Sequence, residues 1–283
     1  MSITKKAMIV KLHVSAWKGH AKDLNVTSKA QSSFGAEKGS GIYNKYLVPK
    51  KSLAEVQAAE SKARSFHQKM TLPWNDGGDR LLPSKNFLKY NQGMRQNKQH
   101  FETAVSKFCA QYPLLITDAQ KVLGQMYSKY EYPDPNFLKE KFAFFTDYTP
   151  VPDSGDFRVD MEKIDQDRIK RELDEKNTRS HKEAMKDLWD RLYNVVETMA
   201  NGLSNGRVYD AYVKNIEELT EILPDLNIAD DQALNDMAKE VRDSLTAHTP
   251  GQLRKDKKLK DDTVTEANAI MNKMSGVMGH AIK

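Results

Sequence analysis

The sequence holds one cysteine, Cys109, among 283 residues. No disulfide framework can form within the chain, and thiolate-based structural zinc is not supported. A reducing compartment follows, with Cys109 a buried, inert thiol in the apolar context VSKFCAQY. No run approaches the roughly 20 apolar residues of a membrane span. The basic start MSITKKAMIVKLHVSAW is broken by Lys11 and His13, so it does not read as a signal peptide. The phosphate-cradling GxxxxGK[ST], the dinucleotide GxGxxG, HExxH and the GxSxG elbow are all missing. The histidines at 13, 20, 67, 100, 181, 248 and 280 do not pair at helical ligand spacing. His100 and Cys109 stand about 13 Å apart along one predicted helix, too far for a dyad. No repeat of 20–50 residues is present.

What the chain has in quantity is charge, unevenly placed. Residues 1–70 carry 13 Lys and Arg against 4 Asp and Glu; residues 71–249 carry 24 against 31; residues 250–283 carry 7 against 4. A basic head and tail flank an acidic body. That pattern suits nucleic-acid binding, or assembly in which one copy's head meets another's body.

Periodicity predicts a mainly helical fold (α+β) with long, partly coiled-coil-like helices and a small antiparallel sheet. MIVKLHVSAW (8–17) alternates as a strand, and 18–41 reads as a loop. Ser52 and Glu55 suggest a capping box for a helix to Met70. Helices are expected over about 85–111 and, beyond Pro113, to Tyr130. FAFFTDYTPV begins a hairpin over 142–161, with FRVDM as its return strand and the N-terminal strand as third member. Residues 161–203 are helical: either one helix whose very polar first part is an exposed arm, or two helices meeting near Asn177–Ser180. Further helices are expected at 207–223, stopping at Pro224, and at 230–248, capped by Asp230. One domain to residue 249 is expected, followed by a basic tail, 250–283, mobile or assembly-mediating.

Between two helical patterns lies TLPWNDGGDRLLPS (71–84). Pro73, Trp74, Asp76, Gly77, Gly78, Asp79 and Arg80 read as a rigid corner: Asn, Asp and Gly favour left-handed turns, and Trp74 plugs a core edge. Asp76, Asp79, Asp147, Asp153, Asp156 and Asp160 could hold Mg²⁺ or Ca²⁺ only if gathered in space. NDGGD and PDSGD read instead as turns. Trp189 and Tyr193, four apart on one helix, read as a packing pair. In GIYNKYLVPKK, Tyr43, Lys45, Tyr46, Lys50 and Lys51 interleave aromatics with cations, a pattern for nucleic acid or a partner. The other reading is a basic edge snorkelling around buried tyrosines. No catalytic residue, metal or cofactor is assigned.

Several stretches together carry a resemblance: GIYNKYLVPKKSLAEVQ, ARSFHQKMTLPWNDGGDRLLPSKNFLKY, TPVPDSGDFRV, MKDLWDRLYNVVETMANGL and LPDLNIADD. Over about residues 8–245 the chain resembles a phage and mobile-element family catalogued as domain of unknown function 3150. The motif TLPWxDxGxRLLP is the most specific part. The resemblance implies no chemistry. It implies a context: encoding beside a MoxR-type AAA+ ATPase and a von Willebrand factor A-type protein. The expectation is therefore a non-enzymatic, self-associating structural or adaptor protein in the cytoplasm of a bacterial host, with no membrane role. The alternative is a nucleic-acid-binding accessory of phage replication or recombination.

Overall fold

A computed structural model describes residues 3–75, 77–156 and 162–281. The chain is mainly helical with a small antiparallel sheet, as its periodicity predicts. It divides into two compact units. The first comprises Met1–Lys11, Gln68–Tyr90 and Tyr148–Lys283; the second comprises Leu12–His67 and Asn91–Asp147.

Strands β1 (Ala7–Ser15), β4 (Leu72–Pro73), β5 (Arg80–Pro83) and β6 (Ala143–Pro150) form a sheet in the order β4-β5-β1-β6. Strands β2 (His20–Lys22) and β3 (Asn44–Tyr46) form a separate ribbon. The expected partners β1 and β6 are present. The expected return strand, FRVDM, lies outside the described residues. Instead β5 pairs with β1, in the register Ala7↔Pro83 to Val10↔Arg80, and β4 pairs with β5 at Leu72↔Leu81 and Pro73↔Arg80. The segment 71–84 is thus a β-hairpin.

In the first unit, helices α4 (Lys163–Ser204), α5 (Asp210–Leu226), α6 (Gln232–Leu245) and α8 (Lys257–Ala281) pack together, with the short α7 (Pro250–Lys255) against α8. Their buried residues recur three and four apart. Leu188, Leu192, Val196, Met199 and Leu203 lie on α4; Leu234, Ala238, Val241 and Leu245 lie on α6; Ala267, Ile270 and Met274 lie on α8. This is the spacing that seats one helix's side chains between those of its neighbour. From the segment set apart by charge as a tail, α7 and α8 thereby lend Leu253, Ala267, Ile270 and Met274 to the core of this unit. The stripe Thr263, Ala267, Ile270 and Met274 is buried, while most of the residues between are exposed.

In the second unit, the Thr27 hydroxyl of α1 (Leu24–Ser33) accepts from the Tyr43 amide at 3.0 Å, and α2 (Ala54–Lys69) and α3 (Phe87–Leu123) each contribute most of their length. The core is aromatic. The ring of Trp17 meets Tyr112 edge-on at 5.5 Å and Phe108 at 6.0 Å; Phe101 meets Phe144 at 5.6 Å.

Several expected boundaries move. Helix α3 runs through Pro113 without breaking, and α5 runs past Pro224 to Leu226. A proline removes one backbone bond, a loss that a well-packed helix absorbs. No Ser52–Glu55 capping box forms; α2 is entered by a 3₁₀ turn over Lys50–Leu53, and Glu55 pairs with Lys107 at 3.1 Å. The cap of α6 is Asp231, whose carboxylate accepts from Ala233 and Leu234, while Asp230 sits just outside at φ +54°. The expected loop 18–41 holds α1. Its cap, Asp23, accepts from the Val26 amide at 3.0 Å, a signal hidden by the surrounding lysines and serines.

Candidate functional site

Three surfaces are candidates for function, and each lies wholly within one unit. The β4–β5 hairpin of the first unit is held by polar side chains that reach backbone carbonyls. Arg80 donates to the Thr71 hydroxyl at 2.6 Å and to the Thr71 carbonyl at 3.0 Å. Arg191 of α4 reaches the carbonyls of Lys69 and Thr71 at 3.0 and 2.8 Å. Asn86 donates to the Met70 carbonyl at 2.7 Å, and the Ser180 hydroxyl to that of Trp74 at 3.1 Å. Burial, then the neighbouring Arg191, lower the Arg80 pKa, with Asp187 opposing. Arg80 takes its partners from Thr71, the hydroxyl and the carbonyl together.

Trp74 is 3% exposed, with the Lys176 ammonium 5.9 Å from its ring. At the tip the Gly77 amide donates to Asn75, Gly78 takes φ +82°, and Asp79 meets Asn75 at 3.2 Å and Lys11 at 3.4 Å. Asp76 and Asp160 fall outside the described residues. Asp147 pairs with His13 at 3.0 Å, and Asp153 accepts from Gly155 at 2.8 Å in its own turn. Among the described residues no three His, Cys, Asp or Glu side chains stand close enough to share a metal ion.

The second surface is the start of α4. From Glu162 to Arg179 no residue is buried; the first buried position is Ser180. Six acidic and six basic residues fill those 18 positions, and Ile164 stands 80% exposed among them. Arg168 braces the arm internally, 3.0 Å from Glu172 and 3.4 Å from Asp165. Further along α4, Trp189 is buried and Tyr193 half-buried.

The third surface is the β2–β3 ribbon of the second unit, and it places Lys45 contrary to expectation. Side chains alternate across a strand, so Ala21 and Lys45 point inward while His20, Lys22, Asn44 and Tyr46 point to solvent. Lys45 is 5% exposed. Its ammonium lies 2.8 Å from Glu131 and 3.2 Å from Asp23, and donates to the Met126 carbonyl at 2.6 Å. Burial pulls the Lys45 pKa down, but the bonds to Glu131 and Asp23 outweigh it and raise it. The Asp23 carboxyl is lowered by the Val26 amide first and by Lys45 against the opposing effect of burial. Lys45 is thereby withdrawn from any external contact. The tyrosines expected under a basic edge are the exposed groups, Tyr43 at 42% and Tyr46 at 48%. Lys50 lies over the Tyr46 ring at 4.6 Å, and Lys51 is exposed. His20 and Lys22, which join this face, were missed because a three-residue strand leaves too short an alternation to read.

Cys109 is half-buried, and burial raises its thiol pKa against the pull of Lys139. His100, its distant neighbour on α3, is exposed. No helix among the described residues is long and apolar enough to cross a membrane. No family model, curated protein or solved structure matches this chain.

Proposed function

We propose that the chain is a non-enzymatic structural or adaptor protein of a phage or mobile element. It acts in the cytoplasm of the bacterial host and self-associates, docks with a MoxR-type AAA+ ATPase and a von Willebrand factor A-type protein, or does both. The observation that carries the reading is the α4 arm, whose Glu162–Arg179 stretch holds no fully buried residue. A largely polar helix of this kind is held by i, i+4 ion pairs such as Arg168–Glu172 or by a body outside it. Its balanced charges offer both signs to a partner, and Ile164 offers an apolar anchor. The β4–β5 hairpin is the rigid corner that fixes this unit. The resemblance to the family of unknown function supplies the ATPase context.

Light scattering after size exclusion tests the reading, together with copurification of the purified ATPase and von Willebrand factor A-type products encoded beside the gene. The expected result is a discrete oligomer or a stoichiometric complex that Ile164→Glu with Arg171→Glu disrupts, leaving the helical circular dichroism unchanged. A monomer that binds neither product, or an assembly indifferent to those substitutions, would overturn it.

A further inference from the structure

We infer that the solvent face of the β2–β3 ribbon binds single-stranded nucleic acid, through base stacking on Tyr46 and phosphate contacts from Lys22 and Lys50. This goes beyond the adaptor reading and does not depend on it, since it rests on residues of the other unit.

The geometry starts from the antiparallel register His20↔Tyr46, Ala21↔Lys45, Lys22↔Asn44. It puts an imidazole, an ammonium, an amide and a phenol on one exposed face. The rings of His20 and Tyr46 meet edge-on with centroids 6.4 Å apart, and Lys50 holds its ammonium 4.6 Å from the Tyr46 centroid. A flat ring flanked by cations is the arrangement that accepts an unpaired base and its phosphates without regard to sequence.

The ribbon is held in place from beneath. Lys45 is clamped by Asp23, Glu131 and the Met126 carbonyl, and the Tyr132 hydroxyl donates to the Leu47 carbonyl at 2.9 Å. The inward lysine and the carboxylate at the ribbon's edge neutralise each other inside. The charge left outside is mostly positive: Lys18, Lys22, Lys29, Lys38, Lys50 and Lys51 are exposed against the one exposed carboxylate Glu37, and none of these lysines makes an ion pair among the described residues. The only acidic residues in Leu12–Lys51 are Asp23 and Glu37. The second unit as a whole carries 16 Lys and Arg against 10 Asp and Glu, whereas the first carries 28 against 29.

Beside the ribbon, Phe34 (87% exposed), Ile42 and Tyr43 line a shallow groove of about 330 Å³ with Thr27, Ala30 and Gln31. This adds flat apolar surface next to the cations. Unpaired bases can use such surface. A duplex, with its bases stacked internally, would meet only the lysines.

The experiment is fluorescence anisotropy of labelled oligo(dT) and oligo(U) of about 20 nucleotides, long enough for one such site, titrated with the full chain. Salt is varied from roughly 50 to 200 mM. A duplex of equal length, poly-glutamate and anionic phosphatidylserine vesicles form the other arms. We expect binding of one or both single strands. Each lysine–phosphate contact should contribute about −0.7 to the slope of log affinity against log salt, so Lys22→Gln with Lys50→Gln should flatten it by about 1.4. Tyr46→Ala should weaken binding about 5- to 100-fold, from the usual worth of one stacked base. Lys239→Gln, at an exposed lysine of α6, should change neither. Loss with oligo(dT) alone would assign RNA, and loss with oligo(U) alone DNA. Equal affinity for the duplex, an unchanged Kd in Tyr46→Ala, or preference for vesicles or poly-glutamate would overturn the inference.

Discussion

The Phe66 ring of α2 lies end-on against the bare α-carbon of Gly93 in α3. A Cβ built on Gly93 would stand 2.1 Å from Phe66 Cζ and 2.7 Å from both Cε atoms. Glycine in mid-helix costs roughly 1 kcal/mol relative to alanine, so propensity alone favours Gly93→Ala. Overpacking against the ring, typically about 1–3 kcal/mol, decides the sign the other way. Gly93→Ala should therefore lower stability by about 1 kcal/mol in urea denaturation. In a Phe66→Ala background the same change should raise it by a similar amount.

Trp74 tests whether the β4–β5 hairpin is a corner or a ligand platform. It is 3% exposed, and its carbonyl is tied to Ser180 at 3.1 Å. Truncating a buried tryptophan costs about 3–5 kcal/mol. Trp74→Ala should accordingly shift the urea midpoint sharply or leave no soluble folded protein. A variant that keeps its midpoint but loses binding to a partner would make the hairpin a contact site.

Asp230 joins three distant parts of the first unit. Lys6 sits 2.6 Å away and Lys85 3.0 Å away, and these two ammonium groups, Lys6 first, hold its carboxyl down from 3.8 to about 2. A lowered carboxyl pKa stabilises the fold at all pH above its unfolded value, and that contribution fades as pH falls towards the folded one. Asp230→Asn should therefore match the acid sensitivity of the parent above pH 4 and show a shallower loss between about 4 and 2. Asparagine tolerates the φ of +54° at this position nearly as well as aspartate. Urea midpoints measured across that range check the prediction, and parallel acid limbs in the two proteins would contradict it. Because Asp230 is exposed, the difference should also shrink in high salt.

Long, strongly periodic segments were legible. The apolar positions of α4 after Ser180, and those of α5 and α6, recur at helical spacing, and FAFFTDYTP alternates as a strand should. Short elements were not. The two residues of β4 and three each of β2 and β3 offer no period, so TLPWNDGGDRLLPS reads as a turn although its leucines enter a sheet. The tail shows the same limit from the other side. KDKKLKDD is a solvated run by composition, yet it opens α8, whose buried stripe begins at Thr263.

The interleaved tyrosines and lysines of GIYNKYLVPKK were visible as a pattern; which of them face solvent was not. Local sequence sets which residues alternate, because backbone sterics fix the strand period. It cannot set the phase, because that depends on what packs beneath. Here Glu131 and the Met126 carbonyl, more than 80 residues away, draw Lys45 inward and leave Tyr46 outside. The sequence by itself determined helical content, the basic head and the absence of familiar catalytic motifs, all properties of composition and local period. Only the tertiary structure decided which cations are neutralised inside and which remain for a partner, because ion pairing at long sequence separation is a property of the folded chain.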